Sequence, residues 1–508
     1  MKQRSLKTNI AANVVGRLYT GIAGVVFVPV YLHFLGVAGY GLFALLNSYM
    51  AVAALLDLGF SGAITREIAK LSALSPERIG DLVWTISLPY CAATIIIASA
   101  IYAASPWIAS VAIAKGSSMA NPEIVRAVGL AGFGLTFQLP GFLYSGGLAG
   151  LQRQDIANGI TIVSTTVRHG VAILLLWGVS NSVVTLMAWQ AVIAVLTAFA
   201  ALVALWSRLP SNRRRPRFRR DLLHDTWKFA ASLGGLTILG TLVLQSDKIL
   251  VGALLPLTVV GHYMVASVIA TNLMLIAQPV SAAAFPRLSQ LVAARDWAAT
   301  YSTFEKLAQL VAVMALPVTA TIAVFPGQTL MVWTGNAAVA QSAAPLLRYL
   351  VLGVSFNALA SIPNGLTVAM GRTTILLVIA TVSCCTALAL VYLGIMHFGP
   401  EGAALAMCVY FCMGLISIGG VLRHAFGRAD WWRWLSKDVA LPGGLVAALA
   451  LLMSAIAPPV EHRIEQLALL AITWLLCALA AGSATPHLRH QALSYWRRIR
   501  ARPFRSTR

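Results

Sequence analysis

Long apolar runs, separated by short polar segments, fill the chain from one end to the other. Each run has roughly the 20 residues that an α-helix needs to cross a hydrocarbon core about 30 Å thick. Pro and Gly interrupt several runs. Membrane helices tolerate these residues because neighbouring helices can satisfy the backbone carbonyls that lose their hydrogen bonds. The pattern predicts an all-α integral membrane protein of about fourteen spanning helices, at residues 9–35, 40–65, 81–104, 124–150, 157–178, 182–206, 227–253, 258–285, 307–326, 341–369, 373–395, 400–421, 439–457 and 465–483.

The composition agrees with a membrane environment. Of the 508 residues, 59% are hydrophobic and only 10% are charged, which excludes an ordinary soluble core. The first run is too long for a signal-peptide core and has no small-residue cleavage site, so we expect an uncleaved first helix. The six cysteines lie in apolar runs without metal-ligand spacing, so we interpret them as small apolar residues and expect no metal.

Charge indicates the orientation of the chain. The formal net charge is +21, which in a soluble protein would suggest nucleic acid. Here the basic residues fall in alternate connecting segments, and the Lys/Arg bias of short loops then places both termini in the cytoplasm. We therefore expect no nucleic-acid partner and interpret the basic segments as orientation signals and contacts to anionic membrane lipids. The main inward groups are Arg66, Lys70 and Arg78, the run Arg213–Arg220, Arg423–Lys437 and the tail Arg489–Arg508, whereas the outward segments keep Lys115, Arg126 and Arg463.

An internal repeat divides the chain into two similar halves. Residues 35–43 are similar to residues 255–263, about 220 positions later, and Gly150–Arg153 is similar to Ala369–Arg372. Each half then has six helices, and because six is even the two halves enter the membrane in the same direction. Parallel repeats are a transporter architecture. The predicted domains are a first lobe at 1–206, a basic linker at 207–226, a second lobe at 227–425, two extra helices within 426–483 and a basic tail at 484–508.

Charged residues inside the spans are the candidate functional residues. A charge at bilayer depth costs several kcal/mol unless it has a partner, water or a function. The candidates for substrate binding are Arg17, Asp57, Arg168, His169, Asp247, Lys248 and Arg348.

Each candidate also has a structural interpretation. Arg17 and Asp57 lie at similar depth and could form an ion pair. Asp247, Lys248 and Arg348 are near the outer ends of their helices and could extend to the interface. Arg168 is near the middle of its run with no acid nearby in sequence, so its alternative is a contact with carbonyls of a neighbouring helix. It is the best single candidate for a substrate contact.

The candidate charges comprise four cations and two acids, so a lumen that they line is net positive. Such a lumen suits an anionic substrate such as a diphosphate, because the planar guanidinium donates two parallel hydrogen bonds to phosphate oxygens. An exporter of cationic drugs would carry acids there instead. The chain has no phosphate-binding Walker loop, so an ion gradient or the membrane potential would drive transport, with no cofactor.

Four segments of the chain form an ordered set of motifs: Phe34–Phe43, Leu56–Glu67, Gln245–Gly252 and Phe398–Ala404. The first two resemble the opening of polysaccharide flippases, the O-antigen repeat-unit transporters of the multidrug/oligosaccharidyl-lipid/polysaccharide exporter superfamily, and the other two are similar to later motifs of that family. The resemblance covers residues 9–425. It implies a V-shaped pair of six-helix lobes in the bacterial inner membrane, and a function in surface polysaccharide or exopolysaccharide biosynthesis.

In that family the substrate is an undecaprenyl-diphosphate-linked oligosaccharide, which is flipped by alternating access. A polymerase and export proteins of the same pathway would be partners. Many members have twelve helices, whereas the predicted fourteen match lipid II flippases, in which the extra helices form a groove for the lipid tail. Two alternatives stay open: a multidrug exporter of the same fold, and an integral-membrane polymerase or ligase of the polysaccharide pathway.

Overall fold

In the part that the structure describes, the chain folds into helices joined by short turns. This computed structural model describes residues 6–112, 121–209, 216–371, 373–458, 460 and 462–485, and none of these forms a strand. The predicted cations Lys115, Arg213–Arg215 and Arg372, and the basic tail from residue 489, lie outside the described residues.

The first helices of the chain are α1 (Leu6–Val26), α2 (Val28–Ala53), α3 (Phe60–Leu74), α4 (Ile79–Ala103), α5 (Ser105–Ala112), α6 (Asn121–Gly150), α7 (Gln154–Gly178), α8 (Val183–Trp206) and α9 (Arg220–Leu254). Short 3-10 turns at Ala54–Asp57 and Pro76–Arg78 precede α3 and α4. The later helices are α10 (Leu257–Asn272), α11 (Met274–Ala293), α12 (Trp297–Val324), α13 (Pro326–Thr334), α14 (Ala337–Ala369), α15 (Thr373–Phe426), α16 (Arg428–Arg433), α17 (Leu441–Ile456) and α18 (Arg463–Ala484). A π-helical turn at Trp434–Ala440 joins α16 to α17.

Helix length and apolar composition confirm the membrane class. Within the described residues, eleven helices are long and apolar enough to cross a bilayer. The fourteen predicted runs fall mostly on helix, but the count is approximate because α2 and α15 each join parts of two neighbouring runs. At Gly36 in α2 and Gly399 in α15 the chain bends at a single residue of positive φ (67° and 61°), a conformation that glycine adopts without a steric penalty.

The predicted run 40–65 is not one continuous helix. It breaks between α2 and α3, where Leu58 has a φ of 49° and Gly59 a φ of 83°. Both values lie in the left-handed region, which stops a right-handed helix. Likewise, the run 9–35 divides at Phe27, just before Pro29 begins the first turn of α2.

The chain forms two compact units, each with its own core. The first comprises residues 1–265 and 380–403, and the second comprises residues 266–379 and 404–508. Each unit is a set of residues that contact one another, which is a different property from the sequence repeat. The predicted division at the 207–226 linker therefore stays a prediction.

In the first unit, α6 packs against α3, α4 and α8. Gly134, Gly141 and Gly147 of α6 lie against Ala191, Ala198 and Leu205 of α8, so these two helices run in the same direction. Small residues let helix backbones approach closely, which is how helices associate where no water drives their packing.

The two halves of the repeat meet within the first unit. Gly41 and Gly261, which occupy equivalent positions of the repeat, lie in contact with each other. A Cβ on Gly261 would overlap the Val37 carbonyl oxygen, and one on Gly41 would be 2.7 Å from the Gly261 nitrogen. Mutual contact between equivalent residues is what a two-fold relation between parallel repeats produces.

The second unit has α12 and α14 at its centre, with α11 packed against both. Its core includes Phe304, Val311, Ala358 and Ile362, together with Trp434 from the π-helical turn. The two extra helices, α17 and α18, pack on α12 through Val446, Ala450, Cys477 and Ala481.

Candidate functional site

Arg168 lies close to the middle of α7. At about 1.5 Å per residue it is about 21 Å from the start of the helix and about 15 Å from its end, which is bilayer depth. Its Nε is fully buried and has no hydrogen-bond partner among the described residues. At Nε, the contact with a carbonyl of a neighbouring helix, which was the structural alternative for this residue, is therefore absent among the described residues. A buried donor without a partner carries the full desolvation penalty, and an anionic ligand would relieve it.

The residues around Arg168 fix its place on the helix. The Trp189 indole of α8 donates to the Arg168 carbonyl oxygen at 3.0 Å. Next to it, His169 Nδ1 lies 2.7 Å from the Tyr31 hydroxyl. The His169 ring stacks on Phe27, with centroids 4.6 Å apart. Three aromatic side chains thus hold the α7 backbone and His169, and none of them takes a hydrogen bond from the guanidinium.

A line of hydrogen-bonded polar side chains, which we term the polar seam, joins α1 to α7. Asn13 donates to Gln154 Oε1 at 2.6 Å and accepts from Asn158 at 2.7 Å. Farther along, the Tyr19 and Thr166 hydroxyls are 2.6 Å apart. The pairs advance together along both helices, so α1 and α7 run in the same direction, as the first and fifth predicted spans require.

Arg17 lies on α1 one turn beyond Asn13, and its side chain is exposed. The predicted structural ion pair between Arg17 and Asp57 is not present, since both residues are described and no salt bridge joins them. Arg17 therefore adds an uncompensated positive charge to α1, the helix that the polar seam joins to the Arg168 helix.

Asp57 is held by structural hydrogen bonds at the start of α3. Its carboxylate accepts from the Ser61 backbone N–H at 3.2 Å, from the Ser61 hydroxyl at 2.7 Å and from the Tyr90 hydroxyl at 2.5 Å. Satisfying a free N–H in the first turn is the role of a helix-capping residue. This geometry favours a structural role over a substrate contact.

We expect Asp57→Ala to lower the free energy of unfolding by about 2–3 kcal/mol, because it leaves three buried or half-buried donors without their acceptor. Asp57→Asn keeps one acceptor oxygen and should lose about half as much. The measurement is denaturation in mixed micelles of increasing SDS fraction, with Thr161→Ala, an exposed residue of α7, as the control. Equal stability of Asp57→Ala and the wild type would contradict the capping role.

Asp247 and Lys248 form a buried pair in α9. Lys248 Nζ is 3.4 Å from Asp247 Oδ1 and donates to the Leu244 carbonyl at 2.9 Å. The other oxygen, Asp247 Oδ2, accepts from the Tyr263 hydroxyl at 2.8 Å. The Lys248 side chain is 14% exposed, so it is neutralised in place and does not extend to the interface.

Arg348, in the second unit, donates through Nε to the Ala323 carbonyl at 3.0 Å. It lines an open cavity of about 540 Å³ together with Gln328, Gln341 and Gln466. This is a second cavity, built by α13, α14 and α18, whose mainly apolar lining includes these four polar side chains.

The seven predicted residues are thus distributed over several places and have different partners. Arg168 and His169 share one cluster, Asp247 and Lys248 form a pair, and Asp57 is a helix cap. Sequence reasoning missed the neutral members of the cluster, Tyr31 and Trp189, and the polar seam. Asn13 could have been found, because it is an amide inside an apolar run, but its partner could not.

Comparisons with known proteins give one matching family over more than half of the chain. The family described as "Polysaccharide biosynthesis protein" matches residues 6–292, and the family described as "MatE" matches residues 236–393. A Shigella flexneri protein named as a candidate O-antigen transporter is 23% identical over 380 residues, which are 74% of this chain and 87% of that protein.

Solved structures share the fold. The lipid II flippase MurJ, in an inward closed conformation, superposes with a TM-score of 0.74 at 14% identity, covering 92% of this chain and 97% of that one. An inward-facing multidrug resistance MATE transporter of the MOP superfamily gives 0.63 at 15% identity, covering 84% and 96%. The MATE multidrug transporter DinF-BH, in a ligand complex, gives 0.61 at 13% identity, covering 83% and 96%. At such low identity these likenesses establish the fold alone.

Proposed function

Because this chain belongs to the polysaccharide biosynthesis protein family, we propose that it flips an undecaprenyl-diphosphate-linked oligosaccharide across the bacterial inner membrane. The protein is a multi-pass membrane transporter of the MOP superfamily and not an enzyme. The flipped unit would serve surface polysaccharide or exopolysaccharide biosynthesis, and both termini would be cytoplasmic.

The observation that carries the substrate class is the buried Nε of Arg168, which has no hydrogen-bond partner among the described residues. A positive charge at bilayer depth needs an anion, and the described residues supply none. Arg can bind a phosphate through two parallel hydrogen bonds, so a diphosphate fits both its charge and its geometry. Arg17, exposed on the helix joined to α7 by the polar seam, would add a second positive charge for the same group. The sugars would then lie in hydrated space and the polyprenyl chain in lipid.

The structure also offers an argument against the multidrug alternative, which the MATE neighbours keep open. A carrier of cationic drugs needs an acidic group that can face its substrate. Both candidate acids are engaged: Asp57 accepts from Ser61 and Tyr90, and Asp247 accepts from Tyr263 and lies beside Lys248. These partners reduce what either carboxylate could offer to a cation.

Transport would proceed by alternating access, driven by an ion gradient or by the membrane potential. A polymerase and export proteins of the same pathway would take the flipped unit from the periplasmic face. Membrane lipids are the remaining expected partners, at the basic segments that flank the spans.

The direct test is transport by the purified protein in sealed vesicles. A fluorescent undecaprenyl-diphosphate oligosaccharide is placed in the inner leaflet, and its arrival outside is followed by digestion with an added glycosidase. We expect an imposed ion gradient or potential to accelerate its appearance at least tenfold over protein-free vesicles. A cationic dye, tested in parallel, should not be moved. Movement of the dye without movement of the precursor would overturn the proposal in favour of a multidrug exporter.

A further inference from the structure

An acid and an amide that are not among the residues considered above are buried side by side in the second unit. Asp438, in the π-helical turn, is 2% exposed, and Gln309, on α12, is 1% exposed. Gln309 Nε2 donates to Asp438 Oδ1 at 2.9 Å. The surroundings are apolar, since Phe304, Trp434 and Val439 pack in the same core.

Each member of this pair also has one oxygen that is fully buried and has no partner among the described residues. These oxygens are Asp438 Oδ2 and Gln309 Oε1. If Asp438 is ionised, both are acceptors without a donor, and a negative charge lies in an apolar core. That arrangement costs several kcal/mol in lost hydration.

A single proton would satisfy both oxygens. In a neutral carboxylic acid the carbonyl oxygen accepts and the hydroxyl donates, and a primary amide offers the matching donor and acceptor. The observed bond from Gln309 Nε2 to Asp438 Oδ1 is already one half of that double hydrogen bond. We propose that Asp438 is a proton-binding site, in which Oδ2 carries a proton and donates it to Gln309 Oε1.

The neighbouring charged side chains do not neutralise Asp438 in place of this proton. Glu305, on α12 one turn before Gln309, is itself acidic and offers Asp438 no positive charge. Arg433 and Lys437 are basic but exposed, and no salt bridge joins either to Asp438 among the described residues. Asp430 of α16 is also acidic, and α17 contributes no charged residue. Two free oxygens are too few for a metal cation such as Ca²⁺, which takes 6–8 oxygen ligands, so a proton is the cation that fits.

The backbone around Asp438 is unusual in a way that agrees with a functional site. Residues Trp434–Ala440 form a π-helical turn, the rare wide helix that occurs mostly as a single turn and often at functional sites. Deprotonation would set the charged carboxylate against the Gln309 carbonyl oxygen. The contact between α12 and this turn is therefore sensitive to the proton, whichever substrate the protein carries.

Infrared spectroscopy of the purified protein in lipid nanodiscs tests this proposal. The wild type should show the C=O stretch of a protonated carboxylic acid at neutral pH, and the band should disappear as the pH rises. Asp438→Asn should lose that band. Asp296→Asn is the matched control, because Asp296 is exposed and Asn also caps a helix, so this variant should keep the band. Absence of the band from the wild type, or its persistence in Asp438→Asn, would overturn the proposal.

Thermal stability gives a second, independent measurement. Asn donates and accepts like the protonated acid but does not titrate, so Asp438→Asn should fold. The native state would hold a proton that the unfolded carboxyl releases, so rising pH should lower the Tm of the wild type relative to Asp438→Asn. Asp438→Ala should be less stable than Asp438→Asn at every pH, because it leaves Gln309 unpaired. A Tm difference between wild type and Asp438→Asn that does not change with pH would also count against the proton.

Discussion

Arg168→Ala should abolish or nearly abolish delivery of polysaccharide to the cell surface. The variant removes the buried guanidinium that we assign to the diphosphate. A hydrogen bond to a charged group contributes about 1.5–3 kcal/mol, so the variant should bind its substrate about 10- to 100-fold more weakly. Because Arg168 Nε has no partner among the described residues, its loss leaves no orphaned carboxylate behind and should not unfold the protein.

Arg168→Lys separates charge from geometry. Lysine keeps the positive charge but cannot form the two parallel hydrogen bonds of the guanidinium, so we expect intermediate transport. Arg126→Ala is the matched control, since Arg126 is exposed at the start of α6, and it should transport like the wild type.

The measurement is surface polysaccharide in a flippase-deficient strain at matched membrane expression, followed by the vesicle assay on purified protein. Normal polysaccharide from Arg168→Ala would remove this residue from substrate binding. Loss of transport with equal precursor binding would instead place Arg168 in a later step of the cycle.

Gly261→Val should strongly disrupt the fold of the first unit. A Cβ at Gly261 would overlap the Val37 carbonyl oxygen, which belongs to the backbone and cannot move aside alone. Overpacking typically costs about 1–3 kcal/mol, and a β-branched residue at a backbone contact should reach or exceed the upper end of that range. We expect loss of most of the protein from the membrane fraction.

The equivalent position gives a symmetric test. Gly41→Val should have a similar effect, because a Cβ there would be 2.6 Å from the Leu257 carbonyl oxygen. Gly240→Ala, in α9, is the control: nothing lies within 4 Å of its added Cβ, and alanine is the better helix former. Fluorescence size-exclusion of tagged variants measures the folded fraction. Wild-type yields of both valine variants would mean that the two halves of the repeat do not meet at this pair.

The helices could be predicted from the sequence because a bilayer imposes its thickness on each apolar run. The turns at Gly36 and Gly399 fall in the gaps between predicted runs, and glycine marks both. The break at Leu58 could not be predicted, since a leucine in the left-handed region is stabilised by its surroundings and leaves no pattern. Alignment of the halves placed Gly41 opposite Gly261, but only coordinates show them in contact.

The candidate site was less accessible to sequence reasoning. Depth along a helix identified both Arg168 and Asp57 as candidate functional residues, because a hydropathy pattern shows where a charge lies but not which side chains surround it. What separates them is a set of partners far away in sequence: Asp57 has Tyr90, and the buried Nε of Arg168 has no hydrogen-bond partner among the described residues. Gln309 and Asp438 are 129 positions apart, and nothing in either local pattern connects them.

The attachment of α17 and α18 bears on truncation. If α17 and α18 were absent, the apolar face of α12 would contact lipid at little cost in free energy, because hydrocarbon tails are as apolar as leucine. The polar links are different: Arg463 donates to the Val332 carbonyl at 2.6 Å, and Gln309 depends on Asp438. A shortened chain that ended after α15 would leave that amide in hydrocarbon with nothing to bind. The terminal helices therefore cannot be removed as a separable appendage.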